Sequence, residues 1–371
     1  MTSQTRPKVT HLKSTWERLI WAFRLSRFKH PFPKVMEDWH VPMQGDFLSD
    51  ARNWARIVET WQFIAPYFAA RGYTLYQKLP KTGETVPAEK PQAADPALQV
   101  YPYARRIAPH RTPGLLMGST LIWGARDRLG RDVIIKVVSE ANNPSNELKV
   151  LQRFNEEPLR SHPKNYTIFV LEYLVFHNFV FVVMPRWDMA VGPSFSNIRE
   201  LMEFTRIILE ALDFLHEHRI AHQDLLDQNI GINAFGHDDE LFQKNGFRNP
   251  DEVQYVLYDF GYSLLFPEDA DLASSKVTRY FRYLHGEGPG RSYNPFKADV
   301  AMLGYTLEIR VRHIENVVPA IGCFFEKMRE EDEGSRPSAR EALHQFMQIY
   351  NTLSEEQLQT EVTTVFWEPA S

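Results

Sequence analysis

The strongest constraint on the fold is a change of hydrophobic period along the chain. After Pro113, the stretch GLLMGSTLIWGARDRLGRDVIIKVV carries short runs of Leu, Ile and Val split by turn residues at RDRLGRD, which predicts a β-meander. NELKVLQRF then has the spacing of a helix, and IFVLEYLVFHNFVFVVMP reads as two strands around FHN. From Ser196 to Arg219 the period is helical over several turns. Strands first and helices later predict an α+β arrangement, with a small antiparallel sheet portion and a larger helical portion.

Upstream, apolar residues recur three or four apart from Ser14 to about Gln77, which predicts two or three helices broken at the prolines of KHPFPK. KLPKTGETVPAEKPQAADPALQ is rich in Pro, Ala and charge and reads as a linker with little capacity for a core. The expected division is a helical extension over 1–80, a linker over 81–112, a main domain over 113–350 and a tail over 351–371.

A net charge of −5 argues against a general nucleic-acid binder. The single cysteine, Cys323, allows no disulfide within the chain and suits a reducing compartment, cytoplasm or nucleus. It lies on the apolar stretch VVPAIGCFFEKM, as a packed helix residue rather than a nucleophile. The N-terminal stretch lacks the apolar core of a signal peptide, and no run is apolar and long enough for a membrane span. WERLIWAFRLSRFKH is amphipathic and basic, and the expectation is that it docks on the chain's own body rather than on a membrane surface.

One polar stretch, IAHQDLLDQNIGI, follows the long helical run and spaces His222, Asp224 and Asn229 as a phosphoryl-transfer loop would. Three further pieces surround it in order. DVIIKVV puts Lys136 at a strand end, NELKVL puts Glu147 on a helix, and VLYDFGYS puts Asp259, Phe260 and Gly261 after a strand. Taken singly, each has a bland reading: a solvated strand-end lysine, a surface helix glutamate, a turn. In this order, from about Pro113 to Tyr350, they resemble the protein kinase family. The extension NWARIVETWQFIAPYFAARGYTLYQ, with YNPFKADVAMLG, also looks like a basidiomycete fungal group of kinase-domain proteins.

The resemblance implies a two-lobed fold, with a small lobe over about 113–187 and a large one over 188–350, and the cofactors ATP and Mg²⁺. It implies that Lys136 binds the α- and β-phosphates and that Glu147 holds Lys136. Asp259 and Asn229 would bind magnesium, and Asp224 would take the proton of the attacking hydroxyl. It implies an adenine site made by Leu121 and Ile134 above, Met184 as gatekeeper and the backbone of Pro185 to Trp187. Pro185, having no N–H, can only accept there. Gly231 falls below the ring, where the family has an apolar residue. Leu151, His222 and Phe260 would join an apolar stack. Asp299 of FKADVAMLGYTL would brace the loop backbone, and Arg336 would form a buried ion pair with Glu287.

The pattern also departs from the family. Counting back from Lys136 puts Gly114 at the first glycine of the phosphate-covering loop, Leu116 and Ser119 at the second and third, and Gly118 near the tip. Lost glycines weaken close backbone approach to phosphates. Gln223 stands where the family has an arginine, Leu226 where Ser/Thr kinases have a lysine, and AFGHDDELFQKNGFRNPDEVQ is a polar insert between Asn229 and Asp259. The functional expectation is ATP-dependent phosphoryl transfer to a protein hydroxyl, Ser/Thr favoured. The alternative is a pseudokinase that acts as a binding module for a partner protein, and a small-molecule kinase is a distant third.

Overall fold

The computed structural model describes residues 8–12, 14–40, 47–79, 84–106, 114–115, 119–192, 194–235, 248–279, 292–364 and 366–368. The protein is mixed α+β, and the chain divides into two compact units. One comprises Met1–Glu156, Phe169–Trp187 and Ala234–His237; the other comprises Glu157–Ile168, Asp188–Asn233 and Asp238–Ser371. Gly118, Glu287 and most of the polar insert lie outside the described residues.

The first unit is built on a six-stranded sheet. Its strands are β1 (Lys8–Thr10), β2 (Thr74–Leu75), β3 (Ile122–Arg126), β4 (Asp132–Glu140), β5 (Glu172–Phe176) and β6 (Phe179–Pro185), in the order β1-β5-β6-β4-β3-β2. β1 pairs with β5 in parallel, and the other pairs are antiparallel. Along β4 the side chains alternate. Val133, Ile135 and Val137 join Phe179, Phe181 and Trp123 in an aromatic core, covered by α1 (Thr15–Ser26) and α2 (Phe47–Ala69). Trp61 of α2 is fully buried and stacks on Trp123 at 5.8 Å, while its indole N–H donates to the Thr120 carbonyl at 3.0 Å.

The extension is thus the cover of one sheet face, because a face bearing Phe and Val must be shielded from water. It also contributes strands, β1 and the edge strand β2. The 81–112 segment, expected to lack a core, packs as well: Thr85, Ala94, Gln99 and Ala104 are buried. Part of its signal was hidden because some of its bonds run through backbone groups. The carbonyls of Pro91 and Pro102 accept from Arg126 and Trp187. The expected boundaries at 80 and 113 therefore run through one packed unit.

α3 (Asn146–Phe154) completes this unit, starting at an N-cap where Ser145 accepts from the Leu148 N–H at 3.1 Å.

The second unit is mainly helical, with α4 (Ile198–Glu217), α5 (Pro295–Val311), α6 (Ala320–Met328), α7 (Ala339–Tyr350) and the single turn α8 (Glu355–Leu358). α5 is apolar on nearly every side and is packed by α4, α6 and α7, as a helix without a polar face must be. Asn294 caps it and Pro295 opens it, where a missing N–H costs nothing. A small antiparallel sheet joins β7 (Asp188–Met189), β8 (Ile230–Ile232) and β9 (Tyr255–Leu257). Among the described residues no helix is long and apolar enough to cross a membrane.

Candidate functional site

In the first unit, Lys136 lies on the β4 face opposite the aromatic core, in register with Ile122 and Val182. The strand thus aims its ammonium at α3, where Glu147 in the first turn receives it: Nζ to Oε1 is 2.6 Å, and both residues are buried. Ile134 and Met184 are register partners on the same face and are half-buried. Leu121 lies just before β3 and packs against the aromatic cluster, which includes Tyr76. The residue beside Ile134 is Gly124, and the ring of Tyr76 lies on it; a Cβ at Gly124 would stand 2.4 Å from Tyr76 Cδ2.

The Tyr76 hydroxyl donates to Asp132, which also accepts from Arg126 Nε at 2.9 Å. Burial, more than its charged neighbours, pushes the Tyr76 phenol upward, so it stays a donor. Sequence reading missed Tyr76 because it is distant along the chain; the only hint was the glycine in a β-rich run.

The segment Met184 to Trp187 is tied down by side chains. Arg186 N–H donates to the Asp132 carbonyl at 3.2 Å, Arg186 Nη2 to the Gly114 carbonyl at 2.7 Å, and the Trp187 indole to the Pro102 carbonyl at 2.9 Å. Pro185 lacks an N–H and so offers only its carbonyl. Gly114 does not lie in a strand bordering β3. That edge is filled by Thr74–Leu75, and the neighbouring Leu115 bridges Thr85. Leu151 is buried on α3.

In the second unit, the loop after α4 is held by one buried carboxylate. Asp299 Oδ2 accepts the His222 N–H at 2.7 Å and His216 Nε2 at 3.0 Å; Oδ1 accepts the Gln223 N–H at 2.7 Å and Gln223 Nε2 at 2.9 Å. This offsets the cost of a left-handed backbone at Gln223, with φ of 65°. Gln223 also donates to the Pro295 carbonyl at 2.8 Å and accepts from the Tyr293 hydroxyl at 2.8 Å. The glutamine faces inward and is buried, so the departure from arginine is accommodated within the unit.

Asp224 then sits beside Asn229, whose Nδ2 donates to its carboxylate at 2.7 Å and to its carbonyl at 2.8 Å. That commits the amide nitrogen to Asp224 and turns Oδ1, an acceptor, away from that role. Thr306 Oγ1 donates to the Leu225 carbonyl at 2.8 Å, so α5 braces the loop at several points along its length.

His222 accepts the Asp224 N–H at Nδ1 and faces the Tyr258 carbonyl with Nε2, which fixes one neutral tautomer. Burial lowers its pKa against the opposing pull of Asp299, Asp224 and Asp259. Its ring lies 5.0 Å from that of the fully buried Phe260.

Asp259 is exposed and left-handed, with φ of 62°, and accepts the Gly261 N–H at 3.3 Å. Asp259 and Asn229 present oxygen atoms, the ligand type a hard cation such as Mg²⁺ takes, with water or phosphate completing the shell. Gly231 on β8 faces the ring of Tyr258, and a Cβ there would lie 2.5 Å from Tyr258 Cε1. The tyrosine thus fills the volume that an apolar side chain at 231 would occupy.

Arg336 is buried and donates from Nη2 to the Glu331 carbonyl at 3.1 Å. Its expected partner, Glu287, is outside the described residues.

No protein-family model and no curated protein matches the chain.

Proposed function

We propose that this chain is an ATP- and Mg²⁺-dependent phosphotransferase with a protein-kinase-like, two-lobed fold that acts on a protein hydroxyl, Ser/Thr favoured. The observation that carries the reading is the buried Lys136–Glu147 pair at 2.6 Å. Two ions out of water are expensive to keep, and an apolar pair of similar volume is often as stable. A lysine held rigidly by a carboxylate is suited to neutralise phosphate charge.

Asp224 orients the hydroxyl and takes its proton, while the phosphoryl group leaves ATP as ADP forms. Asn229 keeps the Asp224 carboxylate in place through its amide hydrogens. When bound, Mg²⁺, held by Asp259 and Asn229 Oδ1, would supply charge neutralisation at the phosphates.

The test is phosphate incorporation from labelled ATP into a Ser/Thr peptide library. Activity that falls at least about a hundredfold in Asp224→Asn supports the reading, since positioned bases contribute about 10²–10⁴. Unchanged activity in that variant contradicts it.

One observation favours a second reading, a pseudokinase that binds a partner protein. Gly114, expected to begin the phosphate loop, does not lie in a strand bordering β3, whose edge is filled by Thr74–Leu75. Nucleotide binding without transfer to any peptide would select this reading.

A further inference from the structure

Arg310, in the last turn of α5, and Arg312, just past its end, have planar faces covered by aromatic rings from the C-terminal segment. Arg310 lies 4.3 Å from the Phe366 ring centroid and Arg312 4.6 Å from that of Trp367. The Trp367 N–H donates to the Ile309 carbonyl at 2.8 Å.

Both guanidiniums are also held by carboxylates. Arg310 pairs with Asp227, its Nε at 2.8 Å. Arg312 bonds Glu308 and Glu326 at 2.6 Å and Glu315 at 3.0 Å. In-plane hydrogen bonds leave the faces for stacking, where a cation attracts the π-cloud. The surrounding carboxylates disfavour a phosphate or nucleic acid, so an uncharged aromatic ring is the ligand that fits.

The segment that supplies these rings is anchored by main-chain bonds at its upstream end, and its Phe366 ring stays open to solvent. Its upstream part pairs with the start of α4, through Ile198 N–H to the Thr360 carbonyl and Val362 N–H to the Ser196 carbonyl. Phe366 is 50% exposed even when seated. A short tethered segment competes at an effective concentration of about millimolar, which a better external ligand exceeds.

We propose that the Arg310–Arg312 face is a docking site for a partner's linear peptide with two adjacent aromatic side chains, and that Phe366–Trp367 is its resident, displaceable occupant. Because Arg310 grips Asp227, in the short turn Asp227–Asn229, occupancy of the face bears on the loop that carries Asp224. The binding itself is independent of phosphoryl transfer.

The experiment is fluorescence anisotropy with a labelled peptide of residues 359–368, titrated with the full-length chain. The expected result is saturable binding at least tenfold tighter to Phe366→Ala/Trp367→Ala than to the unsubstituted chain, because the internal competitor is gone. Adding Arg310→Ala abolishes it, as does replacing both aromatics of the peptide with alanine. Equal affinity for both chains, or binding to neither, overturns the proposal.

Hydrogen exchange on the unsubstituted chain gives a second readout that needs no variant. Excess unlabelled peptide must speed exchange over 362–368, and unchanged exchange counts against displacement. A dimer in sedimentation that the double variant abolishes would mean that a second copy supplies the rings, and would also overturn it.

Discussion

Lys136 Nζ lies 2.6 Å from Glu147 Oε1, with both side chains less than a tenth exposed. Removing either partner leaves a buried, uncompensated charge. Lys136→Met and Glu147→Leu are each expected to cost about 3–5 kcal/mol in urea unfolding, whereas the double variant should recover most of the loss. If the single variants keep wild-type stability, the pair is solvated and the argument from burial fails.

Gly231 and Tyr258 form a small lock. Gly231→Val places atoms within the Tyr258 ring and should destabilise by about 1–3 kcal/mol through overpacking. Tyr258→Ala opens that space, so the two changes together should cost less than their sum. A double-mutant cycle measures the coupling, and strict additivity would show that the ring does not fill this volume.

Trp61 tests whether the extension belongs to the first unit. It is fully buried, and Trp61→Ala should cost about 3–5 kcal/mol. The sheet strands should report the same loss, which hydrogen exchange over 132–140 can follow. Unchanged protection there would mean that the helices fold apart from the sheet.

His313 contributes to the pH dependence, alongside the buried His222. Neither ring nitrogen of His313 has a hydrogen-bond partner, and burial lowers its pKa from the ordinary histidine value. The folded state therefore binds its proton less readily than the unfolded state. Its contribution is fully present above about pH 6.5 and is lost as pH falls through the depressed folded value. His313→Leu should flatten the drop in urea midpoint between pH 7.5 and 5, by at most about 1.4 kcal/mol per unit of depression. A drop of the same size in the variant would place the acid sensitivity elsewhere.

Much of this was legible in the sequence where one local signal sufficed. NELKVLQRF is the helix α3, and FHN separates β5 from β6, because period and turn chemistry act over a few residues. What was not legible depends on distance along the chain. Tyr76 meets Gly124, and Gln223 meets Tyr293, through contacts that no spacing rule encodes. The 81–112 segment hid its role because its partners, such as Arg126 for the Pro91 carbonyl, Asp132 for Arg106 and Arg131 for the Tyr103 ring, lie far along the chain.

The most direct measurement is isothermal titration of the chain with ATP, with and without Mg²⁺, alongside Lys136→Met and Asp259→Ala. The proposed function predicts saturable binding that needs the metal and is weakened at least tenfold in each variant. Absence of binding at millimolar ATP, or binding indifferent to Mg²⁺ and to both substitutions, would contradict it.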